Sequence, residues 1–220
     1  EGVYQRCMFI VALANEYLKN IPHAPDEVNK EQFTAEARFC RALAYYTLMD
    51  LFGRPPFITE QNYSINPSQL ERPALFDWIE SELTSIKEAL PTARQGIYGR
   101  ADQAAVNALL ARMYLNAEVY TGIPRYTDCI SVCKQIIASG YQLADNYAEL
   151  FMADNGQNPL ANCEIIFPVC FDGVHIEIPA DGIGTELVQR VEGIHRVALG
   201  FGHLLAVFVL HVTQHDDILI

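Results

Sequence analysis

The chain has 220 residues, half of them apolar, and 15 basic against 27 acidic residues give a net charge of −12. That apolar content supports a hydrophobic core and excludes general disorder. An acidic balance with no run of Lys or Arg excludes a nucleic-acid binder built on phosphate neutralisation and a polybasic patch for an anionic membrane.

Five helices are predicted in chain order. Residues 3–20 place Val3, Cys7, Ile10, Val11, Ala14, Tyr17 and Leu18 on one stripe, and Pro22 stands just beyond as a stop. Residues 35–52 follow Thr34 as N-cap, with Arg38, Ala42, Tyr45, Leu48, Leu51 and Phe52 as the stripe. Gly53 suits a left-handed C′ position there, and Pro55-Pro56 forbid continuation. Residues 74–90 turn Leu75, Trp78, Ile79, Leu83, Ile86 and Leu90 inward between Pro73 and Pro91. Residues 101–120 are rich in Ala and carry Val106, Leu109, Leu110, Met113 and Leu115. Residues 126–139 carry Ile130, Cys133, Ile136 and Ile137, with Gly140 as the C′ residue.

The connections have loop chemistry: Arg54 to Arg72, Gln95 to Gly99 and Thr121 to Arg125 are rich in Pro, Gly, Asn and Ser. Asp154 to Asn162 is a polar turn, and Glu164 to Val169 reads as an extended segment. A motif of apolar residue, Ala and, three positions on, Tyr occurs as Leu13-Ala14…Tyr17 and Leu110-Ala111…Tyr114. Arg41-Ala42…Tyr45 is a looser copy. A small residue admits a neighbouring backbone and the aromatic fills the groove one turn on, as in tetratricopeptide-like antiparallel helix pairs. The tyrosines lie 28 and 69 residues apart, so the repeat is irregular.

The stretch from Glu36-Ala37-Arg38-Phe39-Cys40-Arg41-Ala42 through Tyr45, Leu48, Leu51 and Phe52-Gly53-Arg54-Pro55 resembles the signature of the SusD/RagB family. Ala101 to Leu115 resembles that family's second hallmark helix, and Asn162 to Val169 its E-I-I-F segment. The resemblance covers about residues 1–175 and implies a mainly α fold of tetratricopeptide-like helix pairs with extended loops, a SusD-like α-α superhelix, here incomplete. It further implies a surface-exposed outer-membrane lipoprotein that binds glycan, or another oligomeric nutrient, for a TonB-dependent SusC-like transporter. No enzyme activity and no cofactor are implied.

Two features depart from the family. Its members are longer and carry an export signal and a lipid-bearing Cys. Here Glu1-Gly2-Val3-Tyr4 shows neither, so a leader has been removed or the sequence is an excerpt; Cys7 lies inside a helix and cannot carry the lipid. Membrane contact is therefore expected only through an anchor outside this chain, because the apolar run Leu204 to Leu210 falls far short of the roughly 20 residues a spanning helix needs. Residues 176–220 do not resemble the family, and a divergent tail and a foreign or mis-read one both remain open.

For chemistry, the six cysteines (Cys7, Cys40, Cys129, Cys133, Cys163 and Cys170) have no zinc-ligand spacing and are read as buried structural residues. His211 and His215 sit four apart, but their Val- and Phe-rich surroundings favour a strand that would not converge them, so no metal site is expected. Glu80, Glu82 and Glu88 are read as a solvated helix face, not as paired glycosidase carboxylates, which must face each other about 5–10 Å apart. Arg38 and Arg41 lie three apart near the helix start and are read either as structural ion pairs with acidic residues of a facing helix or as solvated charges. Sugar capture needs an aromatic plane beside polar groups. The loop candidates are Tyr63 with Asn62 and Asn66, and Tyr98 with Arg94 and Arg100. The main alternative function is a helical-repeat adaptor that binds a protein segment along a concave surface.

Overall fold

A computed structural model describes residues 2–152, 156 and 158–168, and all of the following concerns those residues. The helices are α1 (Gly2–Asn20), α2 (Lys30–Phe52), α3 (Arg72–Ile86), α4 (Gln103–Leu115), α5 (Ala117–Thr121), α6 (Tyr126–Ala138) and α7 (Pro159–Asn162). Single 3-10 turns cover Ile21–His23, Lys87–Ala89 and Tyr147–Phe151. Among the described residues the only β pairing is an isolated bridge between Pro56 and Gln69.

The paired helices pack antiparallel, apolar face to apolar face. Tyr4 near the start of α1 meets Phe52 at the end of α2, ring edge to face at 5.2 Å. Arg72 opening α3 donates to the Met49 carbonyl near the end of α2, while Arg38 near the start of α2 reaches Glu82 late in α3. Cys129 early in α6 donates its thiol hydrogen to the Ala111 carbonyl late in α4. The result is a row of helix pairs in which α3 bridges α1/α2 to α4/α6.

The core follows from composition. Phe39, Tyr45, Tyr46, Leu48 and Met49 of α2 meet Leu75, Phe76, Ile79, Leu83 and Ile86 of α3, all buried. Nearly every residue of α4 from Ala104 to Tyr114 is buried, which marks it as the central helix. Trp78 lies partly buried against the core with its ring edge-on to Tyr45. Gly53 (φ +84°) and Gly140 (φ +87°) occupy the positive-φ positions after α2 and α6, where other residues would be strained.

Several sequence expectations are corrected. The N-cap of α2 is Asn29, whose side chain accepts from the Gln32 amide, so the helix starts before Thr34. The predicted helix 101–120 breaks at Asn116 into α4 and α5. Leu51 and Phe52 are exposed, as are Val3, Ile10 and Tyr17 of the predicted α1 stripe, because the α1–α2 contact is carried by Cys7, Val11, Ala14, Asn15 and Leu18. Residues 163–167 run through a turn and a bend, not an extended segment, with Ile165 and Ile166 dropping into two different apolar clusters. Cys7, Cys129 and Cys133 are buried, whereas Cys40 is exposed and Cys163 half-buried. Cys170, the His211/His215 pair and the 176–220 tail lie outside the described residues.

Candidate functional site: a loop strapped to the helices

The segment between α2 and α3 leaves the helices at Gly53, runs back along them, and returns. Its two arms are joined by Phe57 N–H to the Ser68 carbonyl (3.0 Å) and Leu70 N–H to the Pro55 carbonyl (3.2 Å), around the Pro56–Gln69 bridge. The Phe57 ring packs on Tyr45 and Trp78 at 5.4 and 5.0 Å. Beside it, the Ile58 peptide is bound by side chains alone. Its N–H donates to the Tyr45 hydroxyl (2.7 Å), while its carbonyl accepts from that hydroxyl (2.8 Å) and from the Asn15 amide (3.0 Å). Burial pushes the Tyr45 hydroxyl up to about 12, so it stays protonated and can donate.

Arg41 anchors the next residues. It is only 2% exposed, and such a charge needs partners on every side. One terminal nitrogen donates to Asn15 Oδ1 (2.7 Å) and to Glu60; the other donates to Glu82 (2.9 Å). The guanidinium carbon lies 5.4 Å from the Trp78 ring centroid, and Nε is left without a hydrogen-bond partner. Glu82 also accepts from Arg38 through two nitrogens (3.0 and 2.6 Å). Burial alone would raise the Glu82 pKa, but the bonds and charges of Arg38 and Arg41 outweigh it and hold the carboxyl below its usual range.

Past Glu60 the chain turns outward. Asn62 Oδ1 accepts from the Thr59 N–H and hydroxyl, so this candidate shapes the turn. Tyr63 and Ile65, 81% and 87% exposed, form the tip. The second candidate cluster is anchored elsewhere. Arg100 is committed to Glu36 and lies over the Phe33 ring (4.6 Å) at the start of α2, while Tyr98, 44% exposed, lies against Gly156. Arg94 N–H donates to Asp102 (2.9 Å), the N-cap of α4, and its guanidinium reaches the Gly140 carbonyl. Tyr63 and Tyr98 thus belong to two differently anchored loops, not to one constellation.

Two clefts among the described residues lie apart from both tyrosines. A cleft of about 400 Å³ is lined by Pro22, Thr34, Arg38, Ser85 and Ile86, but its Arg38 is taken up by Glu82 and Ser85. A second, of about 320 Å³, is lined by Lys87, Gln103, Asn107, Gln135 and Ser139, with Lys87 bonded to Gln135. Among the described residues no group of three or more His, Cys, Asp or Glu is placed to hold a metal ion. No helix among them is long and apolar enough to cross a membrane.

Glu80 and Glu82 are not the solvated face expected of them. Glu80 accepts from the Tyr114 hydroxyl (2.7 Å) and Arg125 (2.9 Å), Glu82 is shared by two arginines, and only Glu88 is exposed. A general acid needs a raised pKa, and the shift at Glu82 runs the other way. Of the two readings of Arg38 and Arg41, the ion-paired one holds. The strap residues Asn15, Tyr45 and Glu60 were missed; Asn15, a polar residue within the apolar run of α1, was the available signal. Also missed was a tilted pair of exposed rings, Tyr147 and Phe151, 4.9 Å apart.

Residues 1–115, which include the strapped loop, match the family model described as starch-binding associating with outer membrane. The chain belongs to the SusD-like family. It is 41% identical over 200 residues to the starch-binding protein SusD of Bacteroides thetaiotaomicron, which covers 90% of this chain and 35% of SusD. SusD-like protein P2 of Formosa agariphila is 28% identical over 222 residues, 94% of this chain and 41% of P2. This SusD-like chain therefore spans well under half the length of these relatives. Among solved structures, a laminarin-binding SusD-like protein matches with a TM-score of 0.59 and 28% identity, over 71% of this chain and 34% of that one. A SusD superfamily protein of Parabacteroides distasonis matches with a TM-score of 0.66 and 25% identity, over 77% and 37%. The helix-pair architecture is thus the family's fold.

Proposed function

We propose that this chain is the helical part of a glycan-binding protein displayed at the outer-membrane surface, which hands its ligand to a TonB-dependent, SusC-like transporter. The supporting observation is the 41% identity to starch-binding SusD over nine-tenths of the chain. Residues 1–175 form its helical domain in this reading. On the same reading it binds without cleaving; the α3 carboxylates Glu80 and Glu82 are each held by arginine.

Among the sequence candidates, Tyr63 makes the ligand contact. Its exposed ring offers a flat face to the C–H face of a pyranose, with the polar residues Ser64 and Asn66 adjacent. Asn62 shapes the turn beneath it. Tyr98 is the secondary contact, and Arg100 supports its loop through Glu36. Titration calorimetry with maltoheptaose, laminarihexaose and an unrelated peptide tests this. Binding of an oligosaccharide with no release of reducing ends is expected. Binding of the peptide alone would replace the reading with the helical-repeat adaptor. Co-purification with a transporter expressed alongside tests the partnership.

A further inference from the structure

The tip of the α2–α3 loop is exposed, yet its root is bound as tightly as core backbone. An exposed loop normally satisfies its peptides with water or with its own turns. Here the Ile58 peptide is held by Tyr45 from α2 and Asn15 from α1, and the Glu60 carboxylate is taken by the buried Arg41. Arg41 and Asn15 are bonded to each other, and Arg41 also holds Glu82 of α3. Four elements are thereby tied at one guanidinium: α1, α2, α3 and the loop. The return arm is fixed independently by Phe57 to Ser68 and Leu70 to Pro55. What lies between, residues 61–66, is a short tip on a fixed base.

We infer that Arg41, Tyr45 and Asn15, acting through Ile58 and Glu60, are positioning residues that hold the 61–66 tip in its ligand-ready pose. This rests on the reading that Tyr63 contacts glycan. The physical reason is preorganisation. A tip whose root is already fixed loses less freedom when a sugar stacks on it, and that saving appears as affinity. Buried polar groups suit this role better than apolar packing, since only one loop register places the Ile58 N–H and C=O and the Glu60 carboxylate on their partners. Arg41 then serves the ligand without touching it.

The test uses the full chain with maltoheptaose and laminarihexaose as probes, together with amide hydrogen exchange. Glu60→Ala frees the Glu60 end of the strap while Arg41 keeps Asn15 and Glu82 and Ile58 keeps Tyr45 and Asn15, so the helices stay folded; circular dichroism and the thermal midpoint check this. The expected result is faster exchange confined to about residues 60–66 and affinity weakened about three- to tenfold. Glu60→Gln, which retains an acceptor oxygen for Arg41, restores most of the affinity. Tyr63→Ala abolishes binding without changing exchange at Ile58. Faster exchange in Glu60→Ala with unchanged affinity, where Tyr63→Ala still loses binding, overturns the positioning role alone. Unchanged affinity in Tyr63→Ala overturns the glycan reading of the tip, and this inference with it.

Discussion

Between α4 and α6 the contact joins an Ala-rich helix to one that buries Cys129, Cys133 and Ile136, with the Cys129 thiol on the Ala111 carbonyl. Between α2 and α3 an equally apolar core is bordered by a charged cluster, Arg38 and Arg41 around Glu82, which also ties in the loop. The first interface needs only shape, and its helices can approach closely wherever Ala leaves room. The second specifies position, because each buried charge is satisfied in one arrangement and costly in others. The part of the molecule that carries the candidate ligand loop is the part built with directional bonds.

Breaking the polar interface has the largest expected effect. Glu82→Ala removes the acceptor shared by Arg38 and Arg41 and leaves Arg41 buried with Asn15 and Glu60 alone. The expected cost is about 3–5 kcal/mol, read from urea unfolding. The apolar interface responds to volume instead. Ala111→Leu, at a fully buried position, is expected to cost about 1–3 kcal/mol by overpacking, with no change in the pH dependence of stability. Outside both interfaces, Asn29→Ala removes the α2 cap and is expected to cost about 0.5–2 kcal/mol in the same titration.

Acid separates the two interfaces most finely. The folded-state pKa of Glu82 lies below its usual value of 4.5, so the unfolded chain binds the proton more readily. Its stabilisation is complete above 4.5 and is lost as pH falls through the lower folded value. The thermal midpoint gap between the wild-type chain and Glu82→Gln should therefore narrow on acidification, while the gap to Ala111→Leu stays constant. An unchanged Glu82→Gln gap would remove the charged cluster from the account of stability.

The helices were legible because their signals are local. Apolar spacing marked α1, α3 and α6, and Gly53 and Gly140 marked the ends of α2 and α6, where φ is positive. The pairing of Arg38 and Arg41 with an acid of a facing helix was one of two sequence readings, the other being solvated charges, and only the packed helices decided it in favour of Glu82. The break at Asn116 carried no Gly or Pro to announce it. Thr34 looked like a cap because it is a good cap residue, but Asn29 lies where the Gln32 amide needs an acceptor. For the candidate site, Tyr63 was recognisable as an aromatic in a polar loop. That Asn62 is used inside the turn and Arg100 is used by Glu36 was not, because a free and a committed polar side chain look alike in a sequence.

The sequence by itself determined the helical framework and, through the Glu36-to-Pro55 stretch, the family. The predicted apolar stripes of α1 and α2 held only in part, since Val3, Ile10, Tyr17, Leu51 and Phe52 are exposed. Tertiary structure alone decided that the Ile58 carbonyl is met by Asn15, 43 residues away, and by Tyr45, 13 away, and that Arg41 joins Glu60 to Glu82. Helix periodicity is written into neighbouring residues by backbone geometry. The satisfaction of a buried polar group depends on which distant groups the packed helices bring within bonding distance.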